Sequence, residues 1–312
     1  MAPPTRIGLI GSRGQLGRDL LEILSEPRPS RAFAITVLDR PDFDITRPPC
    51  LETIRSARFE IVINTSAYNA VDQAQTEVRE CFELNAFAPL LLARACREAG
   101  TALLHFSSDY VMSGGICEEE EIPYAEESCP RPLSVYGLSK AAGERLLLNE
   151  WDKVWIVRTC GLYGLAGSGQ KGGNFVTTML RLAREGKPLR VVSDQRVGPT
   201  STLELARVLR TLLEEHLPFG LWHLTNEGNI SWFEFAREIF RLTGLAPDLS
   251  PVTLKEFNPK APRSPFSVLS NEKARQAGLV MGPWDRALED YLLRLEKKGG
   301  RKSPPPDPLP VP

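Results

Sequence analysis

A tyrosine and a lysine four positions apart, in Tyr136-Gly-Leu-Ser-Lys140, are the residues of this chain with the clearest chemical meaning. On a helix such a pair shares one face, about one turn apart. A phenol with a pKa near ~10 exchanges protons poorly at neutral pH, and an ammonium beside it stabilises the phenolate and lowers that value. The pairing suits proton transfer at the oxygen of a carbonyl undergoing redox chemistry. Upstream, Ser107-Ser108-Asp109-Tyr110 offers hydroxyls that can hold that oxygen. A Tyr-x-x-x-Lys spacing alone is common by chance, and it gains its weight from what opens the chain.

The chain opens with Arg6-Ile-Gly-Leu-Ile10, an apolar run that predicts a buried strand. Gly11-Ser-Arg13-Gly14-Gln15-Leu16-Gly17 follows, and then helical apolar spacing from Asp19 to Leu24. Glycines there allow a tight turn, close backbone approach to a pyrophosphate and close packing of helix on strand, with the phosphates at the positive end of the helix. The spacing GxxGxxG is a variant of the dinucleotide pattern GxGxxG. A second strand, Ala34 to Leu38, ends at Asp39, about 20 residues past the last glycine, where a carboxylate accepts from adenosine ribose hydroxyls. Arg40 is next to it and suits a 2′-phosphate, so NADPH and NADH both stay open. For the glycine motif alone, a turn with no ligand is the competing reading; Asp39 argues against it.

These groups need a frame, and the rest of the sequence supplies one. Glu60-Ile-Val-Ile-Asn64 predicts a third strand, Cys81 to Ala99 a helix, and Ala102 to Ser107 a fourth strand. Tyr136 to Asn149 predicts a helix and Val154 to Arg158 a fifth strand. This alternation marks an α/β fold, a Rossmann-type doubly wound parallel sheet, whose ligands sit at the carboxyl ends of the strands. Gly11, Asp39, Asn64 to Tyr68, Ser107 to Asp109 and Arg158-Thr159 all fall at such ends.

The second half changes character. A glycine-rich loop spans Gly161 to Gly173, Asn174 to Glu185 is helical, and Leu189 to Val192 is a strand. Ser201-x-x-Glu204 and Ser231-x-x-Glu234 read as capping boxes opening helices to His216 and Thr243. An irregular proline-rich stretch, Pro247 to Pro265, precedes a final amphipathic helix, Trp284 to Lys297. We expect a dinucleotide-binding domain from residues 1–160 plus roughly 186–218. A smaller, interleaved α/β substrate-binding domain takes roughly 161–185 and 219–297, and a disordered proline-rich tail residues 298–312.

At 312 residues, with 38 basic against 39 acidic side chains and a net charge of -1, the chain has no basic stripe for nucleic acid. No apolar stretch approaches the roughly 20 residues of a membrane span, and the N-terminus leads straight into the first strand, leaving no room for a signal peptide. Cytoplasmic localisation is the expectation. The six cysteines, Cys50, Cys81, Cys96, Cys117, Cys129 and Cys160, lack CxxC spacing, and the three histidines lie in no metal-binding pattern. We therefore expect reduced thiols and no metal site. A helix with an apolar stripe packs internally or across a subunit boundary, so a homodimer stays open.

Several segments carry a family resemblance. Ile63-Asn-Thr-Ser66-Ala67-Tyr68-Asn-Ala-Val71-Asp72 is similar to the AYTxVDxAE segment of the dTDP-4-dehydrorhamnose reductases, extended short-chain dehydrogenases/reductases. Ser107-Ser-Asp-Tyr-Val-Met112 resembles their STDYVF, and Val135-Tyr-Gly-Leu-Ser-Lys-Ala-Ala-Gly-Glu144 their VYGxTKxxGE. Gly173-Asn-Phe175, Asp194-Gln195 with Gly198-Pro-Thr200, and Pro262-Arg263 with Ser267-Val-Leu269 continue the likeness, which runs from about Arg6 to about Leu295.

The resemblance implies Ser108, Tyr136 and Lys140 as catalytic residues. Tyr136 would be the general acid, Lys140 would depress the tyrosine pKa and bond the nicotinamide ribose, and Ser108 would hold the carbonyl oxygen. It implies cofactor contacts from Gly11, Arg13, Gly14, Gln15, Leu16 and Gly17, then Asp39, Arg40, Asp44 and Ile45. Ser66, Ala67, Tyr68 and Asn85 join them, with Tyr136 and Lys140. Val71, Asp72, Ser108, Asp109, Asn174, Gln195 and Arg263 would face the substrate, a dTDP-4-keto-6-deoxy sugar. The implied activity is NAD(P)H-dependent reduction of its 4-keto group, most readily dTDP-4-dehydrorhamnose to dTDP-L-rhamnose. The family's RTSWVYG is Arg158-Thr-Cys-Gly161-Leu-Tyr-Gly164 here. Loss of the pocket tryptophan at 161 removes apolar surface and suits a different sugar. Other readings are a reductase of another dTDP-deoxysugar, an epimerase or dehydratase, and a non-catalytic NADP-binding subunit like the beta subunit of methionine adenosyltransferase. Dehydratases usually carry an Asp-Glu pair where this chain has Asp109-Tyr110.

Overall fold

The computed structural model describes residues 3–28, 32–113, 121–166 and 173–299. Its centre is a six-stranded parallel sheet of β1 (Thr5–Ile10), β2 (Phe33–Leu38), β3 (Ile61–Asn64), β4 (Ala102–Ser108), β5 (Val154–Thr159) and β10 (Gly220–His223), in the order β10-β5-β4-β3-β1-β2. Strands β3, β4 and β5 are buried at every position, as strands covered on both faces must be. Edge strand β2 alternates between partly buried and exposed residues over most of its length.

Apolar helix faces cover both sides of this sheet. On one side Leu20 and Ile23 of α1 (Gln15–Ser25) pack with Leu205, Leu209 and Leu212 of Thr202–Glu214. On the other, Ile54 of α2 (Leu51–Ser56), Leu92 and Cys96 of α4 (Ala88–Ala99) and Leu147 of α5 (Val135–Glu150) form a second core. The doubly wound α/β class read from the sequence is the class observed. Between α3 (Val78–Phe82) and α4 the backbone widens into a π-type turn, Glu83–Phe87, so the helix expected over Cys81 to Ala99 is interrupted at Asn85.

A smaller lobe has its own core, in which Tyr163, Leu180, Phe235, Ile239 and Tyr291 meet. It contains α6 (Phe175–Arg184), α8 (Trp232–Thr243) and the C-terminal helix Trp284–Gly299; Thr202–Glu214 between them is α7. Short strands lace it together: β6 (Leu162–Tyr163) with β9 (Thr200–Ser201), β8 (Arg196–Val197) with β11 (Ile230–Ser231), and β7 (Leu189–Val192) with β12 (Leu249–Val252). Two strands lie on the other side of the expected division. Leu189–Val192, expected with the large sheet, pairs with β12, and Gly220–His223, expected in the small domain, hydrogen-bonds to β5. Sequential order misleads here because the chain crosses between lobes several times. The capping box at Ser231 forms, but Ser201 makes no side-chain cap; Glu204 instead accepts from Asn226. Residues 298 and 299 of the expected tail belong to the C-terminal helix, and its remainder, 300–312, lies with Cys117 outside the described residues.

Candidate active site

The glycine turn leads from β1 into α1. Gly14 is the helix N-cap and has no side chain to occupy the helix end, while a Cβ at Gly17 would stand 2.1 Å from the Gly11 carbonyl oxygen. Gly17 therefore serves packing of helix on loop. Leu16 is also buried in the core away from the groove. A cavity of about 540 Å3 opens over the turn, with Gly11, Arg13, Gly14, Asp39, Arg40, Asp44, Ile45, Ser66 and Ala67 among its lining. Nine of the expected cofactor residues thus share one groove, and Thr46, Thr65, Asn69 and Leu84, which the sequence did not single out, join them.

Asp39 behaves differently from expectation. Its Oδ1 accepts from the Gly11 and Ser12 amides, both at 2.9 Å, and its Oδ2 accepts from the Ser12 hydroxyl at 2.6 Å. The carboxylate organises the glycine turn, with the guanidinium of Arg13 3.7 Å away. Asp44 is likewise turned inward, accepting from the Thr46 amide and hydroxyl; these bonds and nearby Arg40 hold its carboxyl below the usual range despite the opposing effect of burial. Exposed Arg13 and Arg40 are left as the cationic groups of the groove.

Asn85 sits in the π-type turn. Its side chain accepts from the Tyr68 amide and donates to the Tyr68 carbonyl, both at 2.9 Å, and donates to Ser139 Oγ at 3.0 Å. Ser139 in turn donates to the carbonyl of Tyr136. Asn85 therefore ties the groove's rear loop to the catalytic helix without touching Lys140. Tyr68 faces away and donates its hydroxyl to Glu77. A backbone amide and the hydroxyl of Ser66 bond Asn64, which shapes the same loop.

A second cavity, about 370 Å3, adjoins this groove through Asn69. Ser107, Ser108, Asp109, Tyr136, Thr159 and Cys160 line one part of it. Helix α5 starts at this cavity because Ser134 caps it, accepting from Gly137 at 3.1 Å, and because Gln75 accepts from the Val135 amide at 2.8 Å. Tyr110 packs edge-on against Tyr136, with ring centroids 5.4 Å apart.

Ser108 donates to Asp109 Oδ1 at 2.9 Å and accepts from the Tyr110 amide at 3.2 Å. The Tyr136 phenol is also hydrogen-bonded to Ser108, in the sense that favours the phenolate. Burial pushes the Tyr136 pKa well up, and the bond to Ser108 is the largest opposing influence; Lys140 is not among the groups that act on it most. The expected depression of the phenol by Lys140 is therefore not the arrangement found. Lys140 is itself buried and donates to the Phe106 carbonyl at 2.7 Å. Burial lowers its pKa from 10.5 to about 8, against the favourable influence of Glu144. Asp109 also accepts from Ser267 at 2.7 Å, and burial raises its pKa.

The remaining substrate candidates divide. Val71 and Gln195 line the cavity, and Gln195 Oε1 is buried with no hydrogen-bond partner among the described residues. Asn174 lines it too, but its side chain caps α6 and donates to Gln15 Oε1 and the Gly164 carbonyl, both at 3.0 Å. Gln15, expected at the cofactor, is thus a bridge to α6. Asp72 and Arg263 lie outside this lining and pair with each other at 3.1 Å, because the loop carrying Arg263 also donates a backbone amide to Asp72. Gly161 does not leave an open wall. It has φ +53°, and a Cβ there would meet Trp232 Cη2 at 3.2 Å and the Pro199 Cα at 3.3 Å. Trp232 and Phe175, tilted against each other with ring centroids 4.6 Å apart, supply the apolar surface that the sequence seemed to lack. No periodicity could have announced them, since they come from two helices of the other lobe.

The two cavities together fit a nicotinamide dinucleotide: a glycine cradle at a helix N-terminus, two guanidiniums, and buried hydroxyls of Ser107 and Thr159 that lack partners among the described residues. The larger cavity, about 990 Å3 between α6 and the C-terminal helix, contains none of these groups. Among the described residues no cluster of His, Cys, Asp or Glu could hold a metal, and no helix is long and apolar enough to cross a membrane.

A parallel sheet with this turn, Ser108 and Tyr136 lining one cavity, and Lys140 buried on the same helix as Tyr136 define a nicotinamide-dependent oxidoreductase of the short-chain dehydrogenase/reductase type. The family described as RmlD substrate binding domain matches residues 5–297, and the chain belongs to that family. A dTDP-4-dehydrorhamnose reductase of Aggregatibacter actinomycetemcomitans is 36% identical over 93% of this chain and 99% of its own length. A probable dTDP-4,6-dihydroxy-2-methyloxan-3-one 4-ketoreductase of Streptomyces antibioticus is 35% identical over 90% of this chain and 92% of its own. The crystal structure of dTDP-4-dehydrorhamnose reductase from Bacillus anthracis in complex with NADP superposes with a TM-score of 0.84 at 34% identity, covering 94% of this chain and all of that one.

Proposed function

We propose that this protein reduces the 4-keto group of dTDP-4-dehydrorhamnose to give dTDP-L-rhamnose, with NADPH as reductant. The observation that carries the reading is the polar set of Ser108, Asp109 and Tyr136 in a cavity that adjoins the groove over the glycine turn. A reduced nicotinamide, when bound, supplies the hydride for the keto carbon. Tyr136 keeps its proton because burial raises its pKa, and it delivers that proton to the oxygen as the carbonyl is reduced. Ser108 positions the same oxygen once its hydroxyl turns from Asp109 toward the substrate. Lys140 uses one of its three donors on Phe106, leaving two for ribose hydroxyls. Arg13 and Arg40 favour the 2′-phosphate form, since the carboxylate of Asp39 is committed to the glycine turn.

The reading places the reaction in the cytoplasm, supported by the free thiols of Cys50, Cys81, Cys96, Cys129 and Cys160. Reduction of a different dTDP-linked keto sugar is the second reading, favoured by the Streptomyces antibioticus relative. Loss of NADPH absorbance on adding dTDP-4-dehydrorhamnose tests the first. Tyr136→Phe should retain cofactor binding and lose about 10²–10⁴ in kcat. Absence of oxidation by wild-type protein that binds NADPH would overturn the rhamnose assignment.

A further inference from the structure

We propose that Trp232, standing in the space that Gly161 leaves free, is the wall on which the ketone-bearing sugar ring lies, and that the Gly161–Trp232 contact sets which rings fit. The inference rests on the reductase reading above. It starts from the register of the sheet. Ser108 is directly opposite Thr159, so Gly161 is two residues beyond the position that flanks the carbonyl-holding serine. Two residues span at most about 7 Å. An aromatic ring whose Cη2 reaches Gly161 is therefore beside the reacting ring and not out at the nucleotide.

Trp232 is held there from several directions. It is the first residue of α8, within the Ser231–Glu234 capping box, and Ser231 pairs with Arg196 in the short β8–β11 ladder. Its ring contacts Phe175 at 4.6 Å and Phe235 at 6.2 Å between centroids. Phe175 and Trp232 both line the cavity and are only partly buried, so part of each ring remains available. An aromatic ring with an exposed apolar face at a polar cavity suits the C–H face of a pyranose, while Gln195 Oε1 offers an unused acceptor for one of its hydroxyls. Gly161 is required by this arrangement twice over. Its φ of +53° disfavours a side chain, and a Cβ would press on Trp232 Cη2 on one side and on the backbone of Pro199 on the other.

The test compares Trp232→Ala, Trp232→Phe and Gly161→Ala by steady-state kinetics. For Trp232→Ala the KM for dTDP-4-dehydrorhamnose should rise tenfold or more while the KM for NADPH stays within twofold, and Trp232→Phe should recover part of the loss. Gly161→Ala should raise the sugar KM as well. Its effect should shrink in the Gly161→Ala/Trp232→Phe double variant, because the shorter ring yields the contested space. A purely structural role would move both KM values and the melting temperature together. As an independent reading, dTDP-L-rhamnose should change the tryptophan emission of the wild type and not that of Trp232→Phe. An active wild type whose sugar KM is indifferent to Trp232→Phe and Trp232→Ala, or an additive double variant, overturns the inference. A wild type that turns over no sugar overturns the reductase reading instead.

Discussion

Raising the pH from 7 to 9 should remove the charge of one buried group on the catalytic helix. Burial lowers the Lys140 pKa from 10.5 to about 8. The ammonium is then about nine-tenths populated at pH 7 and about one-tenth at pH 9. The neutral amine keeps a hydrogen for Phe106 but loses the charge that strengthens its bonds to ribose hydroxyls. In wild-type protein at saturating sugar, kcat/KM for NADPH should therefore fall about tenfold over this interval. Lys140→Arg should be slower yet lack the alkaline limb, because a guanidinium does not titrate there. Stability carries the opposite sign. The folded pKa lies below the unfolded one, so between pH 8 and 10.5 the unfolded chain binds more protons. The contribution of this group to stability rises with pH through that window, by up to about 3 kcal/mol. Denaturation of the apoprotein, measured for wild type against Lys140→Met, should show the wild type gaining relative stability from pH 8 to 10 while its turnover declines. An alkaline limb that persists in Lys140→Arg, or two stabilities that run parallel, refutes the assignment.

Glu144→Gln should cost about 3–5 kcal/mol in denaturant unfolding. It strands Arg158, 2% exposed and bonded to both carboxylate oxygens of Glu144 at 2.8 and 2.7 Å. Arg13→Ala and Arg40→Ala should each raise the KM for NADPH about tenfold and leave that for NADH nearly unchanged, as loss of a charge-assisted phosphate contact predicts; equal effects on both cofactors would remove the 2′-phosphate from the argument. Gly17→Ala should abolish cofactor binding in a fluorescence titration, because its Cβ would meet the Gly11 carbonyl at 2.1 Å and displace the turn.

Local order was legible where one segment carried both the pattern and the group. The turn at Gly11 to Gly17, the strands that end at Asp39 and Ser108, and the helix beginning beside Tyr136 all follow from short-range periodicity and capping. What escaped depends on partners distant in sequence. Asp39 has the right type and position for a ribose, but the donors it meets in space are the Ser12 hydroxyl and the Gly11 and Ser12 amides. Asp72 and Arg263 resemble substrate contacts, yet 191 positions apart they neutralise one another. Trp232 reads in sequence as the start of an amphipathic helix, and only the crossing of α8 over Gly161 turns it toward the cavity. Leu189–Val192 and Gly220–His223 are plain strands whose sheet membership is decided by long-range pairing.

The orientation of the catalytic serine depends on both lobes at once. Asp109 follows Ser108 at the end of β4, and one of its oxygens takes the serine proton. The other accepts from Ser267, on the segment that also hydrogen-bonds through Arg196 to the small lobe. Such a buried carboxylate is costly to leave half satisfied. Displacing the Ser267 segment would leave Asp109 with fewer donors, Ser108 and Cys160, and so less willing to release the serine hydroxyl to a substrate oxygen. With Ser267 in place, Ser108 can turn while Asp109 retains a donor. The Gln15–Asn174 bond makes a comparable bridge from α1 to α6 on the opposite wall. On the proposed reading, packing of the small lobe against the sheet is thus what readies Ser108 for the sugar carbonyl.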